Sequence, residues 1–283
     1  MTTDRIRLPN FVVIGAMRAG TTSLWEYLRG HPQVFMATLK EPNFFSEAGT
    51  WKRGRGWYES LFRDAGEAIA VGEASTSYTK HPIHPGVPER MASVIPGARF
   101  VYVVRHPIER IRSHYEWATY KEIERRPLAQ AVLEHPQYVA YSRYAFQIDR
   151  YLDWFPRDRL LVVTSEDLRA ARRRTMGRVY EFLGVDPAWV SPGLVLEQHV
   201  TDRQQARPFA RQLRRLTGYS RIAGVVPRGV KSAYWRIAKR KRWSRPGSVF
   251  PADLRRELEH RLAEDVVRLR AFMGEEFQGW GIA

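Results

Sequence analysis

The stretch "FVVIGAMRAGTTSL", residues 11–24, decides how this chain begins to fold. Phe11 to Ile14 form an unbroken apolar run, the pattern of a short buried strand. Gly15 and Gly20 frame a loop, and from Thr21 the spacing turns helical, with Leu24 and Leu28 on one face and Gly30 as the stop. A strand, a glycine loop and a helix N-terminus together make an anion site, because unpaired backbone N–H groups and the helix dipole converge there. The glycine spacing is that of the nucleotide-binding pattern G-x-x-x-x-G-K-[ST]. Thr21 stands where the lysine that reaches terminal phosphates belongs, and the cation comes early, at Arg18. A phosphate is expected here, but not the end of a nucleoside triphosphate.

Further apolar runs repeat the theme. "AIAVGEAS" predicts a strand near 69–72, "ARFVYVVRHP" one at 99–104, and "DRLLVVTSEDL" one near 159–164. Pro107 suits the first turn of a helix that continues through "IERIRSHYEWATYKEIE". Ser165 reads as an N-cap, with Glu166 and Asp167 in the first turn behind it. Leu254, Leu258, Leu262, Val266 and Leu269 make one stripe of a long amphipathic helix whose role is packing. Strands alternating with helices predict an α/β fold: a P-loop-like, doubly wound sheet, mostly parallel, of roughly five strands with helices on both faces. No linker divides the chain, so residues 1–283 read as a single domain.

Composition narrows the chemistry. There are no cysteines, which excludes disulfides and thiolate metal sites. No run approaches membrane-spanning length, so a soluble cytoplasmic protein is the expectation. The net charge of +16 suits an anionic partner. Residues 226–246 carry eight Lys or Arg and no acid, within a stretch, 198–250, that lacks firm periodicity and reads as mobile or ordered by an acceptor-side ligand. If helical, 226–246 would set Tyr234, Trp235 and Ile237 among snorkelling cations. A lid over an acidic substrate, a peripheral contact with an anionic membrane and a plain surface loop all remain open for it. Nucleic acid is not the expected partner, because the aromatics of "WATY" and "YVAYSRYAFQ" have the near-helical spacing of core and pocket wall.

In open α/β sheets, ligands sit beyond the carboxyl ends of the strands. Arg105 follows "FVYVV" directly, and Ser113 lies two turns into the next helix. A guanidinium fork with a hydroxyl makes a second phosphate site. Two separated phosphate-like groups fit the pair of sites better than a triphosphate. Kinase chemistry is disfavoured twice, by the missing Gly-Lys-Ser/Thr and by an arginine where a magnesium-binding aspartate would follow the strand.

With these residues in view, the chain resembles sulfotransferases that use 3′-phosphoadenosine-5′-phosphosulfate (PAPS), closest in pattern to the heparan-sulfate type. "GAMRAGTTSL" at 15–24 is similar to the 5′-phosphosulfate loop, "KEPNFFS" at 40–46 to the Lys-Glu-Pro-x-Phe-Phe segment, and "VVRHPIERIRSHY" at 103–115 to the 3′-phosphate site. "GEASTSY" at 72–78 is a weaker match to a Glu-Lys-Ser/Thr segment. The resemblance implies that Arg18, Ala19, Gly20, Thr21, Thr22 and Ser23 hold the 5′ end of PAPS, and that Arg105 and Ser113 hold its 3′-phosphate. It also implies catalytic roles for Glu41, Arg18 and Lys40, with Glu41 the general base on an acceptor hydroxyl. The product is adenosine 3′,5′-bisphosphate, and no metal is implied.

The chain departs from the family pattern at two positions. Arg18 replaces the usual lysine, keeping the charge but effectively unable to give up a proton. Ala74 replaces a second lysine, which puts a heparan-like acceptor in doubt. His81 and His84 are each followed by proline and read as a turn, not a zinc site. His106 reads as a polar helix-end residue. The acceptor stays open among carbohydrate, glycolipid and small-metabolite hydroxyls. The rival classes are a basic nucleic-acid binder, a nucleotide kinase and a non-catalytic anion-binding scaffold.

Overall fold

Five strands form one all-parallel sheet in the order β2-β3-β1-β4-β5. They are β1 (Phe11–Gly15), β2 (Val34–Met36), β3 (Ala70–Ala74), β4 (Arg99–Val104) and β5 (Leu160–Thr164). The computed structural model describes residues 7–190 and 250–282. The expectations for 198–250 and 226–246 therefore fall, Phe250 apart, outside the described residues.

Every residue of β1 and of β3 is buried. Successive strand side chains point to opposite faces, so both faces of the sheet are covered, as parallel sheets require. Gly72 sits opposite Phe11 across the β1–β3 ladder, and a Cβ there would come within 2.4 Å of the Phe11 ring. The aromatic side chain fills the space the glycine leaves.

The first crossover carries α1 (Thr21–Arg29), whose buried face holds Leu24, Trp25 and Leu28 and whose end is Gly30. Short helices α2 (Ala48–Trp51) and α3 (Gly54–Ser60) precede β3, and α4 (Val87–Val94) precedes β4. After β4 comes α5 (Pro107–Tyr120), with its proline at the first helical turn. It stops at Tyr120 and does not run on to Glu124, because Glu122 takes a left-handed backbone, φ 59°.

Helices α6 (Leu128–Glu134), α7 (Pro136–Ala140) and α8 (Tyr144–Leu152) follow, and α9 (Ser165–Ala170) and α10 (Arg172–Leu183) come after β5. The N-cap of α9 is Thr164, not Ser165. The extended backbone of β5 runs straight into the helix, and the Thr164 hydroxyl accepts the Asp167 N–H at 2.9 Å.

The last helix, α11 (Ala252–Met273), buries the predicted stripe of Leu254, Leu258, Leu262, Val266 and Leu269. Leu254, Leu258 and Leu262 join Ile108, Ile111, Ala131, Val132 and Tyr138 in a second core beside the sheet. Each Leu, Ile or Val among them contributes about 1.5–3 kcal/mol by leaving water. Asp265 of α11 also accepts the Ala145 and Phe146 N–H groups at 3.0 and 2.9 Å, fastening the start of α8. The β2 strand is the one element of the sheet without a forecast position; three residues at an edge give no period to read.

Candidate active site

The order of the sheet locates a cleft. From β1 the chain passes to β2 and β3 on one side, then crosses to β4 and β5 on the other, so the connections that leave β1 and β4 run in opposite directions along the sheet. Such a switch point is where open α/β sheets bind ligands. The loop after β1 and Arg105 after β4 both lie there.

Gly15 is required by close packing. Its φ is 152°, and a Cβ would lie 2.1 Å from Thr79 Oγ1, which itself donates to the Ile14 carbonyl at 3.0 Å. The Ala16 N–H donates to the Val103 carbonyl at 2.6 Å, pinning the loop to β4. Arg18 and Gly20 take left-handed backbone, φ 70° and 100°, which turns the chain into α1. Helix α1 has no acid in its first turn and no side-chain cap, so its positive end is uncompensated.

The structure brings the basic residues of the two strands together. Arg18 Nε donates to Ser113 Oγ at 3.0 Å, and Arg105 Nη1 to the Arg18 carbonyl at 3.5 Å. Arg105 also pairs loosely with Glu109 at 3.8 Å, and its own carbonyl accepts the Tyr144 hydroxyl at 2.7 Å. Thr22 and Ser23 are half-buried at the helix start, whereas the Thr21 side chain is buried. Ala19 is fully buried, and its N–H donates to the Ala16 carbonyl at 3.1 Å, so it shapes the loop and offers no donor. His106 is the residue before α5, its N–H donating to Glu166 Oε1 at 3.2 Å.

Glu41 lies in a separate cluster. Its Oε1 meets Lys40 Nζ at 2.9 Å, and its Oε2 accepts the Thr76 N–H at 2.7 Å and the Thr76 hydroxyl at 3.2 Å. The Glu41 N–H donates to the Ala74 carbonyl at 2.9 Å, so the segment lies along the end of β3. About a third of its side chain stays exposed (33%), enough to reach a bound molecule.

Sequence reasoning missed several residues around this cluster. Thr76 is one; its position next to the polar end of "GEAS" was the available signal. Another is His114 on α5, whose pKa is pushed down to about 2 by burial, helped by the charges of Arg110, Lys80 and Arg18. Burial also lowers the Lys80 ammonium, against the opposing pull of Glu41. An imidazole kept neutral by burial and by the nearby charges of Arg110, Lys80 and Arg18 marks a positive electrostatic environment. His81 and His84 line a hollow of about 200 Å³ with Gln147 and Trp154. Among the described residues no group of His, Asp and Glu is placed to hold a metal ion.

This geometry has counterparts in known proteins. The profile of the sulfotransferase family matches residues 52–190, a span that includes β3, Arg105 and Ser113. A solved sulfotransferase from Alicyclobacillus acidocaldarius superposes with a TM-score of 0.70 at 25% identity, over 97% of this chain and 99% of that one. The chain belongs to the sulfotransferase family.

Human heparan sulfate glucosamine 3-O-sulfotransferase 6 is 31% identical over 189 residues, 64% of this chain and 54% of that protein. Human bifunctional heparan sulfate N-deacetylase/N-sulfotransferase 3 is 29% identical over 215 residues, 68% of this chain and 24% of that protein. The chain thus spans about half of the first relative and a quarter of the second.

Proposed function

We propose that this member of the family transfers a sulfuryl group from PAPS to an acceptor hydroxyl, by in-line displacement. The observation that carries the reading is the joined cluster Arg18–Ser113–Arg105 at the β1/β4 switch point, beside an uncompensated helix N-terminus. Its donors are cationic or neutral N–H and O–H groups, which suits a ligand with phosphate at both ends of a nucleoside.

PAPS supplies an activated sulfuryl group on a phosphate leaving group. The amides at the start of α1 with Thr22 and Ser23 would hold the 5′ end, and Arg105 with Ser113 the 3′-phosphate. Arg18 would stabilise charge growing on the departing phosphate oxygen, which needs a cation more than a proton. Glu41 would take the acceptor proton as the acceptor oxygen bonds to sulfur and the sulfur–phosphate oxygen bond breaks. Two hydrogen bonds from Thr76 and the Lys40 ion pair fix its carboxylate for that task. Catalysis of this kind rests on positioning and on fixed charge.

Acceptor type stays a class, a hydroxyl on a carbohydrate, glycolipid or small metabolite. The test is incubation of the protein and PAPS with a hydroxylated metabolite extract, read by mass spectrometry. Products heavier by one sulfuryl group, absent with Glu41→Gln, are expected. Release of bisphosphate with no sulfated product would overturn the reading.

A further inference from the structure

The turn that presents Glu41 is conformationally expensive. Glu41 and Asn43 both take left-handed backbone, φ 61° and 53°, on either side of Pro42. Residues other than glycine rarely adopt this conformation, and it persists only where the surroundings enforce it. Contacts hold it from two sides: within the segment the Asn43 carbonyl accepts the Glu47 N–H and the Thr50 hydroxyl, and across it stand Ala74, the last residue of β3, and residues 75–77. Ala74 accepts the Glu41 N–H, Thr76 binds the Glu41 carboxylate, and Ser77 Oγ donates to Asn43 Oδ1 at 2.6 Å. Ser75 Oγ accepts the Asn43 N–H at 3.1 Å.

That last contact depends on where the Ser75 hydroxyl proton points. To receive the Asn43 N–H, Ser75 must send its own proton elsewhere, and it donates to Glu73 Oε2 at 2.8 Å. Glu73 has no solvent exposure. Its other oxygen, Oε1, accepts the hydroxyls of Tyr58 and Tyr78 at 3.3 and 2.7 Å. A buried carboxylate held by three hydroxyl donors, none of them a cation, is costly to keep charged. We propose that Glu73, as the carboxylate, is the positioning residue for the Glu41 turn, acting through Ser75 on the Asn43 amide.

The proton, when it comes, goes to Oε2, because Oε1 already accepts two hydrogen bonds. Ser75 must then accept from Glu73 and turn its own proton to one of its two other directions, one of which faces the Asn43 N–H. No donated bond then fixes the hydroxyl, and that fastening of the turn weakens. Burial raises the Glu73 pKa to about 7 against the three hydrogen bonds, and the Glu41 charge adds to the rise, so the exchange falls near neutral pH. The titratable groups facing it are Glu41 from the turn, Tyr58 from α3, Tyr78 after β3 and Tyr151 from α8. Glu73→Gln copies the protonated state: its amide oxygen would take the two tyrosines and its NH₂ would face Ser75.

The catalytic consequence rests on Glu41 being the base; the structural claim does not. The test therefore has two readouts. The first is hydrogen exchange at the Asn43 amide by NMR, corrected for intrinsic rate, at about pH 6 and about pH 8. In the wild type, protection should fall about tenfold at the lower pH, and Glu73→Gln and Ser75→Ala should be poorly protected at both. The second is turnover. Wild-type kcat should fall below about pH 7, and Glu73→Gln should lower kcat and abolish that limb, with adenosine 3′,5′-bisphosphate affinity unchanged. Flat wild-type protection, or wild-type protection retained in Glu73→Gln, overturns the proposal. If the amide behaves as described and the wild type turns nothing over, the positioning role stands and the sulfuryl-transfer reading fails.

Discussion

At the scale of single residues, the proposed binding and the proposed chemistry fall to different clusters. Arg18, Arg105 and Ser113 form one hydrogen-bonded cluster, and Glu41 with Lys40 and Thr76 forms another. Substitutions should separate along the same line. Glu41→Gln keeps the shape and the Thr76 contacts, so it should retain bisphosphate affinity while losing turnover by roughly 10²-fold or more. Single-turnover kinetics with saturating donor checks this; near-wild-type turnover would move the base elsewhere. Much of this cluster was legible in the sequence, because Arg105 and Glu41 sit in short segments whose neighbours explain them. Thr76 and Glu73 were not. Their roles come from β3 lying beside the 40–47 segment, and strand adjacency is a long-range fact that no local pattern carries.

At the scale of elements, apolar runs located four of the five strands because parallel strands are buried on both faces and read as unbroken hydrophobic stretches. The three-residue edge strand β2 escaped for want of length. The α9 cap shows where local rules mislead by one residue. Thr164 and Ser165 are both good caps by type, and only the extended backbone of Thr164 decides between them. Thr164 also donates to Asp167 Oδ2 at 2.7 Å, so the contact is reciprocal. Thr164→Ala should therefore cost about 1 kcal/mol, whereas Ser165→Ala should cost much less. Urea unfolding of the two variants decides it; a larger loss for Ser165→Ala would place the cap at Ser165.

At the scale of the whole molecule, stability and function pull against each other at Glu73. Its folded pKa, about 7, lies above the value of 4.5 for a free carboxyl. The folded state holds the proton longer than the unfolded state, so this group's contribution is full below pH 4.5 and is lost as pH rises through 7. A shift of that size corresponds to a loss on the order of 3 kcal/mol, about 1.4 kcal/mol per unit. Glu73→Gln escapes it. The variant should melt above the wild type at about pH 8 and converge with it towards about pH 5, as calorimetry across pH would show. An offset that is the same at both ends would mean that burial does not raise the Glu73 carboxyl in the fold. A residue kept charged at such a cost to stability is expected where it serves a site.

The cleft between β1 and β4 is the centre of the account, and its claim is that two phosphate groups are read at once. Isothermal titration of the wild type with adenosine 3′,5′-bisphosphate and with AMP tests it most directly, because the two ligands differ by the 3′-phosphate alone. The bisphosphate should bind at least about tenfold more tightly, the worth of one charge-assisted contact, and Arg105→Ala should erase the difference. Equal affinity for the two nucleotides in the wild type would contradict it.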